Sequence, residues 1–172
     1  MGGALDASFR KAMRTLTSAV CVVSTAHAEC RFGMTATAVT ALSAEPPSLL
    51  ICVNRAASLH RPLIESGRFC LNVLHAHQTA LAESFGGGRA GEDRFQCGLW
   101  TESQDGVPCL ENAQANVFCD VDVVHPYATH SVVIGRVIAV RVSGTITPLL
   151  YQDGRYTVGL GDGVDWVVPI GG

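Results

Sequence analysis

Three places in the chain set residue types at spacings that serve chemistry, and each implies a different kind. The run 86–91, GGGRAG, matches G-x-G-x-x-G letter by letter. A dinucleotide fingerprint follows a strand and opens a helix, with an acid about 20 residues later. Here a helical pattern precedes and a polar stretch follows, so the run reads as a mobile surface loop. His75 and His77 form an H-x-H pair, which on a strand would aim two imidazoles at one metal. They fall at a strand end without a cysteine or carboxylate at ligand spacing, so a turn is expected and no metal. Asp120 and Asp122 alternate on a strand, as a carboxylate pair for acid–base work would, or as two solvent-facing side chains. No G-x-S-x-G elbow is present, so no protein nucleophile or hydrolase chemistry is expected.

Residues 32–47, FGMTATAVTALSAEPP, raise a question of binding. Thr35, Ala36, Thr37, Ala38 and Thr40 leave nothing large to bury between Met34 and Leu42. Small side chains let a flat ligand approach the backbone, and threonine hydroxyls with free N–H groups can bond ring carbonyls, ring nitrogens or phosphate. The same composition also suits a strand packed under a helix. His130 opens the strand HSVVIGRV after the turn HPYAT; without a ligand beside it, a histidine there is a polar strand end.

These residues must be positioned by mostly β elements. Phe9, Ala12, Met13 and Leu16 share one face of a helix over 6–16, with Asp6 or Ser8 as N-cap. The β-branched run 20–25 and the stretch 32–42 are expected to pair antiparallel, with Pro46 and Pro47 ending the pairing for want of an N–H. A third strand, 48–54, is apolar on both faces. A helix over 58–67 would be capped by Ser58 and stopped by Gly67. A strand (68–74), a helix (77–85) and a loop through GGGRAGEDRFQCG follow. The strands ANVFCDVDVV and 130–142 and a short pair around LLYQDGRYTVGL complete the pattern. About six mostly antiparallel strands with two or three helices predict one mainly β domain over 1–172, a small closed or half-closed barrel.

The chain has 172 residues, a net charge of −3, 16% charged residues and 48% hydrophobic ones. No basic field is available for nucleic acid, and the apolar surplus predicts a homodimer. Seven scattered cysteines, with no C-x-x-C pair, read as reduced thiols of a cytoplasmic protein. The N-terminal run has the outline of a secretory leader, but Thr15, Thr17, Ser18 and Ser24 break its apolar core. No apolar stretch approaches the ~20 residues that span a bilayer, so no membrane partner is expected.

Taken in order, F-R-x-A-M-x-x-L-x-x-x-V-x-V-V-S-T from Phe9, G-M-T-A-T-A-V-T-A-L-S-A-E-P-P-S-L-L-I-C-V-N from Gly33, then S-L-H, R-F-C-L-N-V-L, L-A-E-S-F and H-S-V-V-I-G-R-V form a specific series. The series resembles the short-chain flavin reductases of two-component monooxygenases. That resemblance implies a homodimeric, six-stranded antiparallel Greek-key split β-barrel with flanking helices. It would bind FMN or FAD, take hydride from NADH or NADPH, and supply reduced flavin to a separate monooxygenase. Thr35, Ala36 and Thr37 would lie along the flavin, and Ser43 would bond near its ring or ribityl chain. Cys52, Val53 and Asn54 would contact its pyrimidine side and ribityl. Ser58 would receive the phosphate at a helix N-terminus, Phe85 and the loop after it would border the cofactor, and His130 would face the nicotinamide. Two positions depart from the pattern. Ala128-Thr129-His130 replaces a common G-D-H and loses the acid that would orient the imidazole, and Asn116 stands where a tryptophan is frequent. These departures leave two other readings: a flavin- or haem-binding barrel without reductase activity, or an oxidoreductase acting directly on an organic substrate.

Overall fold

β-Branched and aliphatic runs dictate strands over most of the chain, and the strands find antiparallel partners in sequence order or one crossover away. A computed structural model describes residues 2–144 and 146–159. In chain order the elements are α1 (Gly2–Met13), β1 (Ser18–Ala19), β2 (Cys21–His27), β3 (Cys30–Ala36), β4 (Val39–Ala44), β5 (Pro47–Asn54), α2 (His60–Ser66) and β6 (Arg68–Val73). After these come α3 (Thr79–Glu83), a π turn (Ser84–Gly88), a 3-10 helix (Gly91–Gln96), β7 (Trp100–Glu102), β8 (Pro108–Leu110), β9 (Ala115–Tyr127), β10 (His130–Val142), β11 (Leu149–Gln152) and β12 (Arg155–Val158). The main sheet has seven strands in the order β3-β2-β6-β9-β10-β5-β4, against the six expected, and two small sheets, β1-β11-β12 and β7-β8, accompany it.

The strand order forces the sheet to curl. Seven strands about 4.8 Å apart would put the outer strands of a flat sheet roughly 29 Å from each other. Those outer strands, β3 and β4, are joined only by Thr37 and Ala38, and three Cα steps reach about 11 Å at most. The two edges therefore meet at this corner. Residues 32–42 are consequently two strands: β3 pairs with β2, β4 pairs with β5, and the small residues at the link are the corner itself. The prolines reverse the chain at the far end of β4, with Ala44 opposite Pro47 across a hairpin tip made of Glu45 and Pro46.

β2 packs on both of its faces. Val23 joins Ile51, Val53, Leu59, Leu63, Phe69 and Val133 in one core, while Val20 and Val22 join Leu74, Leu81, Phe85, Phe95, Leu110 and Leu149 in another. Phe69 reaches its core because β10 carries Gly135 opposite it; a Cβ there would stand 2.5 Å from the Phe69 ring. The register between β9 and β10 shifts at this glycine, where a bulge lets the backbone bend.

Several boundaries differ from the sequence reading. α1 begins at Gly2, so Asp6 and Ser8 lie inside it, and Leu16 lies beyond its end. α2 begins at His60 with Leu59 at its cap position and no side-chain cap, which removes Ser58 from that role. Gly67 does stop α2, with φ 68° and its N–H on the Leu63 carbonyl. The expected loop 86–97 is structured. Ser84–Gly88 continues α3 as a wider turn, and Gly91–Gln96 coils because Phe95 must reach the second core.

Candidate active site

The corner made by Thr37 and Ala38 gathers the small residues of the sequence. The Ala38 carbonyl accepts the Cys52 N–H at 3.0 Å, so the corner is stitched to β5. Thr37 and Ala38 form one side of a groove of about 550 Å³, with Phe9, Met13, Leu16 and Tyr151 among its other walls. On β3, the Thr35 hydroxyl donates to the Ala82 carbonyl at 2.6 Å and fixes the strand against α3. A Cβ on Gly86 would stand 3.9 Å from Thr35 and 4.0 Å from the Tyr156 hydroxyl, so the backbone after Phe85 runs at contact distance beside this strand. β3 and β4 each have one strand neighbour in the sheet, which leaves the other edge of each with backbone donors and acceptors for a ligand.

Arg94 crosses from the 3-10 helix to this edge. It donates from one terminal nitrogen to the Gly33 carbonyl at 2.7 Å and from Nε to the Arg89 carbonyl at 2.8 Å. The same terminal nitrogen lies 3.4 Å from the Ser58 hydroxyl. A half-buried guanidinium, held by carbonyls and, among the described residues, by no carboxylate, is thereby fixed beside Ser58. At Gly33 the missing side chain lets Phe85 pack on the strand, since a Cβ there would lie 2.5 Å from the Phe85 ring.

His130 stands at the C-terminal end of β5, the same end to which the corner is stitched through Cys52. It stands across from Asn54 in the β5–β10 ladder, and its Nδ1 shares a 2.9 Å hydrogen bond with the Thr129 hydroxyl. Thr129 thus supplies a neutral partner for the imidazole where the sequence lacks an acid. The loop between β5 and α2 is tied to this hairpin, because the Arg55 N–H donates to the Thr129 carbonyl at 2.9 Å. On α2, His60 Nε2 shares a 2.9 Å hydrogen bond with the Ser131 hydroxyl. Burial, and then the Arg55 charge, lower its pKa below the ordinary imidazole value.

The other candidates have structural partners. Both ring nitrogens of His75 face hydroxyls, Thr147 at 3.0 Å and Ser143 at 3.2 Å, and the ring stacks on His77. Asp120 is paired with Arg68 and Arg136. Burial pushes the Cys21 and Cys119 thiols up to about 12, far from the thiolate that would attack a substrate. Among the described residues no group of three His, Cys, Asp or Glu side chains could hold a metal ion. The arrangement is one for binding and aligning: small residues at a sheet corner, exposed backbone edges, one fixed cation and one oriented imidazole.

Residues 13–159 match the model of the flavin reductase like domain. The chain belongs to that family. Among its relatives is the reductase component of an FADH2-dependent resorcinol hydroxylase from Rhizobium sp. (strain MTP-10005), 42% identical over 151 residues, which cover 87% of this chain and 84% of that one. Another is the FMN reductase (NADH) RutF of Methylorubrum populi, 39% identical over 153 residues, covering 88% of this chain and 76% of the relative. In solved structures, nitrilotriacetate monooxygenase component B from Mycobacterium thermoresistibile superposes with a TM-score of 0.85 at 28% identity, covering 98% of this chain and 97% of that one.

Within this flavin reductase like fold, Thr35, Ala36, Thr37, Cys52, Asn54, Ser58 and His130 lie on the corner and the loops tied to it. Three other residues from the sequence reading sit deeper or farther along their strands. Phe85 is 1% exposed and packs edge-on to Phe95, so its ring belongs to the second core. Val53 is fully buried, leaving only its backbone available. Ser43 lies four residues along β4 from Val39, roughly 13 Å by strand rise, and its hydroxyl is held in the hairpin tip by Glu45. Ser58 stays at the site but as a partner of Arg94, not at a helix end. Asn116 is 4% exposed and donates to Asn72 Oδ1 at 2.9 Å and to the Leu110 carbonyl, so its amide knits the core, at the floor of a hollow of about 330 Å³ shared with Glu111 and Arg141. Tyr156 was not singled out in the sequence; Gly86 and Arg94 entered only as part of the loop after Phe85, and Thr129 only as a departure beside His130. Arg94 sits 61 positions from Gly33, and its only local signal is the neighbouring Phe95, whose burial turns it toward β3.

Proposed function

We propose that this chain is an NAD(P)H:flavin oxidoreductase that reduces FMN or FAD and releases the reduced flavin to a separate monooxygenase. The observation that carries the reading is the Thr37–Ala38 corner, where two exposed sheet edges and a fixed arginine surround small residues. The residues fit a flavin. Thr37 and Ala38 leave room for a flat ring, the backbone edges match its carbonyls and ring nitrogens, and Arg94 with Ser58 matches its phosphate. When bound, the flavin supplies the hydride acceptor, and the nicotinamide supplies the hydride.

The protein's part is alignment. Backbone N–H groups at the corner would hold the flavin ring and offset the negative charge that reduction places on it. His130, oriented by Thr129, positions the nicotinamide, and no side chain need accept or donate a proton. Groups held at contact distance remove much of the entropic barrier of a two-substrate reaction. The reading extends to a single Greek-key split-barrel domain over 1–172 built on the seven-stranded sheet, which the joined edges of that curled sheet support. It also extends to a homodimer, supported by the exposed apolar face of α1, and to a cytoplasmic setting, supported by the free cysteines. No helix among the described residues is long and apolar enough to cross a membrane.

Steady-state oxidation of NADH or NADPH with added FMN or FAD tests the proposal. Turnover that depends on flavin is expected, and no flavin-dependent turnover with either nucleotide would sink it.

A further inference from the structure

An open hollow of about 470 Å³ lies beside His130, lined by Asn54, Arg55, Ala56, His60, Ala128 and Thr129. Its lining contains no carboxylate, in a chain whose net charge is −3. Arg14, Arg31, Arg61, Arg68 and Arg136 each pair with an acid, whereas Arg55 has no ion pair among the described residues. The Arg55 charge also acts on His60, adding to burial in lowering its pKa. Asn54 adds a side-chain amide to the hollow; its carbonyl oxygen is engaged by the Ala56 N–H, which leaves the amide NH2 to donate. A cation without a partner, an amide donor and an imidazole converging on one open hollow make a recognition surface for an anion carrying several acceptor oxygens.

We propose that this hollow is a nucleotide-phosphate subsite, with Arg55 as its specificity-determining cation. The inference rests on the reductase reading for its choice of ligand. Arg55 is tied through its N–H to Thr129, next to the imidazole that on that reading faces the nicotinamide, whereas Ser58, outside the lining of the hollow, is partnered by Arg94. The pyrophosphate of the pyridine nucleotide, or the 2′-phosphate that separates NADPH from NADH, therefore falls to Arg55. The flavin's own phosphate falls to Arg94 and Ser58. The AMP half of FAD carries the same chemistry and is the other source of a phosphate for this hollow.

Titration calorimetry of 5′-ADP and 2′,5′-ADP into the protein without flavin reads the subsite directly. Arg55→Ala is expected to weaken at least one of them about tenfold, the scale of one charge-assisted contact, with Arg55→Lys intermediate. Flavin fluorescence quenching and steady-state kinetics then separate the sources. A rise of about tenfold in KM for NADH or NADPH, with kcat and the FMN Kd within twofold, assigns the subsite to the pyridine nucleotide. A comparable loss of FAD affinity, with FMN affinity and KM unchanged, assigns it to the AMP of FAD. Unaltered ADP binding in Arg55→Ala, no ADP binding by the native protein, or an equal loss of FMN affinity would overturn the proposal. Because the ADP titration requires no turnover, a failed reductase assay and a failed subsite give different results.

Discussion

At the scale of the residue, the site depends on what each side chain leaves free. The Thr35 hydroxyl is consumed by the Ala82 carbonyl, whereas Thr37 sits in the groove beside the corner. Replacing Thr37 with Leu would fill that space, and overfilling a fitted surface costs about 1–3 kcal/mol. Flavin affinity, read by fluorescence quenching, should fall by tenfold or more; an unchanged Kd would remove this corner from the site. His130 has a separate task. His130→Ala should raise KM for the nicotinamide nucleotide about fivefold, near the worth of one hydrogen bond, with flavin Kd unchanged. Thr129→Ala, which removes only the partner of Nδ1, should show part of the same effect. Equal losses in flavin and nucleotide binding would mean that His130 does not divide the two ligands.

At the scale of the element, α3, the π turn and the 3-10 helix form one brace that presses Phe85 and Phe95 over Gly33. Arg94 is its clasp. Arg94→Ala leaves the Gly33 and Arg89 carbonyls without that donor, at a cost of about 1–3 kcal/mol, or several degrees of Tm for a domain of this size. Proteolysis should then begin within 84–96, and a melt identical to that of the native protein would show the clasp to be dispensable. The brace also marks the limit of what could be read from the sequence. Strands β2, β5, β6, β9 and β10 were legible because their runs are long and β-branched, and Gly67 was a sound stop because a left-handed residue there requires little else. The corner at Thr37 was not legible. Nothing in FGMTATAVTALSAEPP distinguishes one long strand from two joined at a bend, because the bend is imposed by the distance between sheet edges. Ser58 and Phe85 were read into the site because their neighbours in sequence belong there. The rotation of each side chain toward Arg94 or toward the core is a tertiary decision.

At the scale of the molecule, α1 poses a problem that one chain does not solve. Its residues are exposed along its length, with Leu5 at 73% and Phe9 at 60%, and it is anchored to its own chain by Arg14, which pairs with Asp153 at 3.0 Å. A helix of 12 residues is marginal in water without an apolar partner, and an exposed ion pair contributes about 1 kcal/mol at most. Val140 and Val142, at 53% and 72%, add a second exposed apolar strip on β10. A second copy of the chain covers such surfaces at no extra design, by twofold symmetry. α1 also walls the groove beside Thr37, so the partner that covers the helix would bear on the flavin site as well. Light scattering at micromolar concentration should give twice the 18.1 kDa chain mass. Phe9→Glu should shift the protein toward the single-chain mass, lower its helical signal in circular dichroism, and weaken flavin binding in proportion to the dimer lost. A native protein that runs as one chain would end the argument, and a Phe9→Glu protein that remains fully dimeric would move the interface away from α1.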